Sequence, residues 1–248
     1  MSNSTQVDKG NGVIFYDGPS LIDGSPIVGI ALAGSSSNRK TGELVQTYIL
    51  RSDMHPQDAI KSGKDSAICG SCPHKETEGD NGRTCYVFPM SFGQVYKSYK
   101  KGAYDTVNSQ NIKRFKNRKI RFGSYGDPLA IPWLNWTPLM KVSGQGYTSY
   151  THQWKDKLTK IPFNDWKGVT MASVESVKKK TEANDLGFRT YRVGKTGDKV
   201  LRDEMLCPAS EEAGKVLKCS DCMRCNGATK NVFIPVHGPK HAVNKFNQ

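Results

Sequence analysis

The chain has no run of about 18 apolar residues, the length that a membrane-spanning helix requires. Its first residues, MSNSTQVDKG, lack the basic residues followed by an apolar stretch that mark a secretory signal peptide. We therefore expect a cytoplasmic protein with no membrane partner. Because thiols stay reduced in the cytoplasm, we do not expect disulfide bonds.

Acidic residues are scarce relative to basic ones. The sequence holds 36 lysines and arginines against 23 aspartates and glutamates, which gives a formal net charge of +13. A surplus of this kind favours a polyanionic partner such as nucleic acid. The same lysines can instead serve solubility alone, so the net charge does not decide between the two interpretations.

No long linker divides the 248 residues, and we predict one α/β domain over residues 1–248 with Cys-rich loops at 69–85 and 207–227. Three segments begin like a strand and continue into a Gly-rich or helical stretch. In the clearest, GVTMASVESVKKKTEANDLGFRTYRVG, a strand leads into a helix from about Glu175 to Asp185, Gly187 ends the helix, and a second, parallel strand follows. Repeated units of this kind predict a partial or complete (β/α) barrel; the other two are KIRFGSYGDP and PLMKVSGQGYTSYTHQW.

The first half of the chain has weaker patterns. Residues 11–34 mix short apolar runs with Gly and Pro, which indicates short strands and turns. Residues 44–51 predict a strand. The segments MHPQDAIKSGK and SFGQVYKSYKKGAY predict helices on either side of the first Cys-rich loop.

The cysteines are few and clustered. Their number, seven, fits disulfide pairing poorly, and clustered reduced thiols indicate metal or redox chemistry. The last four have the spacing Cys-x11-Cys-x2-Cys-x2-Cys, which is typical of the ligands of a [4Fe-4S] cluster. Zinc is the alternative, although its Cys-x2-Cys ligands usually come as two separated pairs. These residues are Cys207, Cys219, Cys222 and Cys225.

The first three cysteines, Cys69, Cys72 and Cys85, can hold a second [4Fe-4S] cluster and leave one iron open to a substrate or cofactor. Two zinc alternatives remain. His74 can complete a site of three cysteines and one histidine, or be an ordinary surface residue. Otherwise the first pair of cysteines shares one zinc with the C-terminal group. The total of seven favours separate groups of three and four.

The order of several segments resembles an uncharacterised protein family encoded by bacteriophages and mobile elements. The segments that carry the resemblance, from about residue 18 to residue 227, are GPSLIDGSPIV, SSNRKTG, DMHPQDAIKSGKDSAICGSCPH, TCYV, YTHQW, MASVESV, FRTYRV and CPASEEAGKVLKCSDCMRCNG. Membership would place the protein in the cytoplasm of the host cell. It implies no known activity.

A second resemblance is to radical S-adenosylmethionine (radical SAM) enzymes, which are partial (β/α) barrels with a three-cysteine cluster. In those enzymes a Gly-Gly-Glu-Pro-like turn holds the methionyl end of the cofactor, and GSYGDPL resembles that turn. The resemblance implies that Gly123, Gly126 and Asp127 bind S-adenosylmethionine. It also implies an auxiliary cluster on the C-terminal cysteines and an electron donor, which the sequence does not identify. The spacing Cys-x2-Cys-x12-Cys departs from the usual Cys-x3-Cys-x2-Cys. Asp127-Pro128 is equally typical of an ordinary turn or helix start.

Polar residues at predicted strand ends are further candidates, because chemistry in a (β/α) barrel lies at that edge. They are Tyr147, Tyr150, His152, Ser173 and Glu175. The aromatic residues can instead pack on the core, and Ser173 can cap the following helix.

Basic residues are concentrated in YKSYKKGAYDTVNSQNIKRFKNRKIRF, with Tyr99, Tyr104 and Phe115 between them. Such a segment can neutralise phosphates while its rings stack on bases, or it can be a solvated surface. The candidates for nucleic-acid binding are Lys113, Arg114, Lys116, Arg118, Lys119 and Arg121.

Two functional hypotheses follow from these patterns. The first is a redox or radical enzyme with one or two [4Fe-4S] clusters, S-adenosylmethionine as a possible cofactor, and a nucleic acid or nucleotide as substrate. The second is a non-catalytic zinc or iron–sulfur protein that binds nucleic acid through its basic surface.

Overall fold

The computed structural model describes residues 11–34, 40–75, 83–85, 87, 89–155 and 163–248. They form a mixed α/β structure with two β-sheets. No helix in this part of the chain is long and apolar enough to cross a membrane.

The first sheet has six strands in the order β4-β1-β2-β3-β5-β6. The strands β1, β2 and β3 pair antiparallel, while β4 pairs parallel with β1 and both β5 and β6 extend the other side in parallel. The strands are β1 (Gly12–Pro19), β2 (Pro26–Leu32), β3 (Val45–Arg51), β4 (Asp105–Thr106), β5 (Ile120–Tyr125) and β6 (Tyr147–Thr148).

The second sheet has five strands in the order β10-β11-β9-β8-β7, all paired in parallel. Its first strand along the chain follows β6 after a single residue, Ser149, so one short segment belongs to both sheets. Within the described residues neither sheet closes on itself into a barrel. The strands are β7 (Tyr150–Thr151), β8 (Met171–Val174), β9 (Thr190–Gly194), β10 (Glu204–Leu206) and β11 (Asn231–Pro235).

Helices connect most of the strands. The 3₁₀ turns Asn111–Phe115 and Pro128–Ala130 lie on either side of β5. The α-helices are α1 (Pro56–Lys61), α2 (Ser66–Cys69), α3 (Pro89–Lys100), α4 (Trp133–Ser143), α5 (Phe163–Trp166), α6 (Val177–Asp185), α7 (Cys219–Cys222) and α8 (Lys240–Asn247).

The β8–α6–β9 unit confirms the clearest sequence prediction. The Ser176 hydroxyl caps α6 by accepting from the Lys179 amide at 3.2 Å. Gly187, at φ +88°, turns the chain away after the helix, and β9 then pairs parallel with β8. The cap that was considered for Ser173 is therefore supplied by Ser176, because Ser173 still lies within β8.

The strands predicted over residues 11–34 and 44–51 are confirmed, as are the helices around the first Cys-rich loop. The strand expected at the start of PLMKVSGQGYTSYTHQW is wrong, because those residues continue α4. Trp136 and Leu139, three positions apart, bury one face of that helix. Pro138 removes one backbone donor, and the free Leu134 carbonyl accepts from the Thr137 hydroxyl at 2.9 Å.

The main core lies between the first sheet and the helices α3 and α4. Trp136 is fully buried there, with ring centroids 4.7 Å from Phe15 and 4.6 Å from Phe122. A smaller core around Met171 and Val232 supports the second sheet and includes Cys207 and Cys225. Cys207 and Cys225 therefore belong to the packed interior of that sheet.

Candidate functional site

A cavity of about 160 Å³ opens at the carboxyl ends of the parallel strands. This edge is where α/β folds usually place their ligands, because the loops that follow the strands converge there. Residues from five strands or their following loops line it, namely Tyr125, Tyr150, Ser173, Val193 and Val236.

The three cysteines of the first group line this cavity together. Cys69 ends α2, the Cys72 amide donates to the Cys69 carbonyl at 3.1 Å, and the Cys85 amide donates to the His74 carbonyl at 2.9 Å. Burial, with the neighbouring thiols of Cys72 and Cys85, raises the pKa of Cys69 well above its ordinary value. A bound cation is the usual way to ionise such a buried thiol.

Gln153 holds the Cys69–Cys72 turn in place from a distant part of the chain. Its side-chain amide donates to the Cys69 carbonyl at 3.0 Å, and its carbonyl accepts from the Ser71 amide at 3.4 Å. At Gly70, where φ is +53°, an added Cβ would lie 2.1 Å from the Gln153 oxygen. The turn therefore requires glycine at this position.

The turn GSYGD contributes backbone to the same cavity. Gly123 and Gly126 both have positive φ, of +62° and +83°. A Cβ on Gly123 would lie 2.4 Å from the Gly126 carbonyl oxygen, and one on Gly126 would lie 2.7 Å from Cβ of Ile49. Neither position accepts a side chain, because the space that a Cβ would take is filled by the protein's own atoms.

Asp127 lines the cavity, and its carboxylate is engaged within the protein. It accepts from the Leu129 amide at 3.0 Å, the Thr151 hydroxyl at 2.8 Å and the His152 amide at 2.8 Å. Burial raises the pKa of Asp127, and these hydrogen bonds oppose the shift. Asp127 thus caps the turn Pro128–Ala130, as an ordinary helix start would, and also joins β5 to the end of β7.

His74, His152 and Glu175 meet at the wall of the cavity. The distance from His152 Nε2 to Glu175 Oε1 is 3.2 Å, and that from His74 Nε2 to the same oxygen is 3.5 Å. Burial disfavours a charge on His152, but Cys72 and Glu175 outweigh it and raise the pKa of His152 to about 10. Burial likewise opposes ionisation of Glu175, but the contacts with both histidines hold its pKa well below its ordinary value.

The four C-terminal cysteines line a second, smaller cavity of about 50 Å³. Cys207 follows β10 and its amide donates to the Phe233 carbonyl at 2.8 Å, while α7 carries the next two cysteines. Burial raises the pKa of Cys225, and a hydrogen bond from the Tyr150 hydroxyl opposes that shift. These ligand candidates are Cys207, Cys219, Cys222 and Cys225.

The two cavities share a wall made of Arg121, Tyr150 and Tyr191. The Tyr150 and Tyr191 ring centroids are 4.7 Å apart at an interplanar angle of 62°, and the Arg121 guanidinium lies 5.8 Å from the centroid of the Tyr150 ring. Burial raises the pKa of Cys219, and the positive charge of Arg121 opposes that shift. The wall therefore places a cation and two phenols between the two cysteine-lined cavities.

The basic segment does not form one exposed face. Phe115 is in the core and cannot stack on a base, and Arg121 belongs to the shared wall. Arg118 binds the backbone carbonyls of Ala33 and Glu43. The remaining candidates are Arg114, which donates to the Gly12 carbonyl at 3.4 Å, Lys119, which donates to the Ser220 carbonyl at 2.5 Å, and the exposed Lys113 and Lys116.

Of the polar residues predicted at strand ends, Tyr150, His152 and Ser173 line the first cavity and Glu175 contacts His152. Tyr147 instead stacks on Phe122, with ring centroids 5.4 Å apart. Three residues that position or line the cavities were not predicted from the sequence, namely Thr151, Gln153 and Tyr191. Only the alternation of side chains along a strand could have indicated which of them face the cavity.

Comparison with protein-family models, with curated proteins and with solved structures finds no match to this chain. Its function has to be argued from the geometry of the two cavities.

Proposed function

We propose that this protein is an iron–sulfur enzyme of the radical SAM type. The observation that carries the proposal is the convergence of two distant segments on one cavity. Cys69, Cys72 and Cys85 meet the glycine turn 123–127 at the carboxyl ends of parallel strands. A second group of four cysteines lies behind the shared wall.

The proposal includes a partial (β/α) barrel. The strands β3, β5 and β6 form a parallel series in the first sheet, and β7, β8, β9 and β11 continue it in the second. The join is Ser149, whose amide donates to the Cys225 carbonyl and whose carbonyl accepts from the Met171 amide, both at 3.0 Å. One curved parallel surface would place all the strand ends around one site.

We propose a cluster rather than a zinc ion as the occupant of each cysteine group. A zinc ion held by thiolates at about 2.3 Å needs sulfurs about 3.8 Å apart. Among the described residues, which include all seven cysteines, neither cysteine group has three sulfurs within 4.8 Å of one another. A cubane needs wider spacing, because its four irons lie between the sulfurs. Three thiolates in the first group leave one iron open, and four in the second complete the ligand set.

When bound, the open-iron cluster and S-adenosylmethionine supply one-electron cleavage of the cofactor's sulfonium. The protein's own contribution is positioning and exclusion of water. The backbone of Gly123 and Gly126 lines the cavity, where it is available to a polar ligand. Tyr125, Val193 and Phe246 supply an apolar lining that keeps water from the reacting atoms.

Asp127 serves this site by holding the His152 backbone and, with its remaining acceptor capacity, by facing the cavity. The residues proposed to bind the cofactor are therefore Gly123, Gly126 and Asp127. Tyr150 and Arg121, which line both cavities, are suited to couple a second cluster to the first as an electron relay or to orient a substrate between them.

The metal content of the full chain, purified without oxygen, tests the proposal. We expect about eight irons and eight sulfides per chain, as two four-iron clusters require. Cys72→Ser and Cys222→Ser should each lose about half of the iron, from different clusters. The control Ser71→Ala alters an exposed side chain between two ligands and should keep all of it.

The second step is reduction with dithionite in the presence of S-adenosylmethionine. We expect deoxyadenosine and methionine from the unmodified chain and neither product from Cys72→Ser. A colourless protein with stoichiometric zinc would overturn the proposal and leave the non-catalytic zinc protein as the better hypothesis. Two clusters without deoxyadenosine would also contradict it and indicate electron transfer or binding alone.

A nucleic acid or nucleotide is the substrate class that we propose, supported by the net charge of +13. Five lysines of the basic segment are exposed, namely Lys97, Lys100, Lys101, Lys113 and Lys116. Changing Lys113 and Lys116 to Gln should weaken oligonucleotide binding and flatten its salt dependence, whereas Lys167→Gln, outside the basic segment, should not. Equal affinity for all three proteins would remove this surface from the proposal.

A further inference from the structure

We propose that His74, His152 and Glu175 form a binding site for a divalent transition-metal ion, separate from the seven cysteines. Their ligand atoms lie within 4.8 Å of one another in the part of the chain that the structure describes. This site goes beyond the proposed function, because none of its three ligands is a cysteine; His152 also contacts Cys72, a ligand of the proposed cluster.

The three facing atoms are buried and poorly satisfied. Nε2 of His74, Nε2 of His152 and Oε1 of Glu175 have almost no solvent contact, and none has a well-aligned hydrogen bond. Buried polar atoms without such bonds are rare and call for a partner. A single ion pair needs only one imidazole beside the carboxylate, whereas two imidazoles are directed at Oε1 of Glu175. A cation bound to all three atoms accounts for the arrangement.

The donor set indicates the class of ion. Two imidazole nitrogens and one carboxylate oxygen bind Zn²⁺ in catalytic sites and Fe²⁺ in facial triads, in both cases with positions left for another ligand. Calcium and magnesium prefer oxygen ligands alone. His74 and His152 line the first cavity, so an ion bound to them lies at its wall.

Additional hydrogen bonds orient the side chains of His74 and Glu175. Nδ1 of His74 pairs with the Thr84 hydroxyl at 2.8 Å, which leaves Nε2 for the metal. Glu175 Oε2 accepts from Lys179 at 2.7 Å, which leaves Oε1. The His152 backbone is fixed by Asp127 at 2.8 Å. Outer contacts of this kind are typical of metal sites, where they set the tautomer and orientation of the ligand.

Counting bound metal ions in matched proteins tests the inference. The full-length chain and its variants are equilibrated with Zn²⁺ under anaerobic conditions, freed of excess metal, and analysed for every metal by mass spectrometry. We expect Glu175→Gln and His74→Gln each to hold one zinc fewer per chain than the unmodified protein. Glu182→Gln, an exposed position on the same helix α6, is the control and should lose none.

Two more readouts separate a metal site from a buried ion pair. Zinc-edge X-ray absorption should show imidazole scattering that is lost in His74→Gln. Thr84→Val should weaken zinc binding about 10- to 100-fold, as is usual for loss of an outer contact. Identical zinc counts in the unmodified chain and both ligand variants overturn the inference. Its failure is distinct from failure of the proposed function, which is read from cysteine-bound iron and sulfide.

Discussion

At the scale of single residues, Tyr150 lies between the two cysteine-lined cavities. Its ring separates the two cysteine-lined cavities, and its hydroxyl donates to the thiol of Cys225. A hydrogen bond to a ligand sulfur stabilises the more negative, reduced state of a cluster. Tyr150 is therefore expected to act as a positioning residue that tunes the proposed second cluster.

In Tyr150→Phe we expect a more negative reduction potential for the second cluster, with its iron content unchanged. A redox titration followed by electron paramagnetic resonance measures it. The matched control is Tyr147→Phe, since that ring stacks on Phe122 and lines neither cavity. If both variants keep the potential of the unmodified chain, the hydrogen bond has no role in tuning.

Gly227 is a second position at which the backbone requires one particular residue type. Its φ is +76°, and an added Cβ would lie 2.5 Å from the Thr170 amide nitrogen. Gly227→Ala should lower the free energy of unfolding by at least about 2 kcal/mol, because left-handed strain adds to a backbone clash. Urea denaturation measures the change.

Gly214 is the matched control for Gly227. It has a similar φ of +73°, but an added Cβ would meet only the Val216 side chain at 4.0 Å. Gly214→Ala should cost only the conformational strain, about 1 kcal/mol. Equal losses for the two variants would contradict a clash between Gly227 and Thr170.

At the scale of elements, Asp203 joins α6 to β11. Its carboxylate accepts from the nearly buried ammonium of Lys180 at 2.6 Å and from the side-chain amide of Asn231 at 2.9 Å. The hydrogen bond from Lys180 lowers the pKa of Asp203. Its contribution to stability is therefore present above the unfolded pKa of 3.8 and is lost as the pH falls through the lower, folded value.

Asp203→Asn should reduce the free energy of unfolding by about 1–2 kcal/mol at pH 7, a value discounted because Asp203 is half exposed. The difference from the unmodified chain should shrink as the pH is lowered below the unfolded pKa. Denaturant unfolding at several pH values measures both effects. Asp185→Asn, exposed at the end of α6, should change neither; a pH-independent loss in Asp203→Asn would rule out the ion pair as its cause.

How far the sequence predicted these elements depends on how local their determinants are. The β8–α6–β9 unit was predictable because its strand pattern, helix and closing glycine all lie within one segment. Helix α4 was not, because an apolar run with an internal proline reads equally well as a strand until Trp136 is known to pack on Phe15. The two cysteine groups were predictable from their spacing.

The partners of the cysteines were not predictable, because they come from far along the chain. Gln153 reaches a carbonyl 84 residues earlier, and Arg121 enters the shared wall only because β5 lies beside β6. Because the sequence does not show that pairing, its pattern placed Arg121 in a basic surface instead. Strand order, which places such residues together, is a property of the whole sheet.

At the scale of the whole molecule, the C-terminal cysteine group ties the two sheets together. The Cys219 amide donates to the Lys40 carbonyl at 2.8 Å, just before β3, and Lys119 at the start of β5 donates to the Ser220 carbonyl at 2.5 Å. The Cys207 amide donates to the carbonyl of Phe233 in β11. Metal bound there would stabilise contacts with both sheets.

Removing the metal with a chelator should therefore speed amide hydrogen exchange in residues 204–234 and at 40–46, on opposite sides of the junction. The turn of the β1–β2 hairpin, at the end of these strands opposite to Leu32 and Gln46, should keep its protection. Exchange measured by mass spectrometry with and without metal checks this. Faster exchange confined to 204–234 would show that the site stabilises its own sheet alone.

The one-residue step between β6 and β7 has a consequence for the tolerance of this chain to insertions and deletions. Each side chain from Thr148 to Gln153 has a different neighbour. Thr148 lines the second cavity, Ser149 contacts Thr170, and Tyr150 lines both cavities. Thr151 contacts Asp127, His152 contacts Glu175, and Gln153 contacts the Cys69 carbonyl. Adding or removing one residue would reverse every face at once. A substitution at one site changes one of these contacts, whereas a change in the length of this segment would displace all of them together.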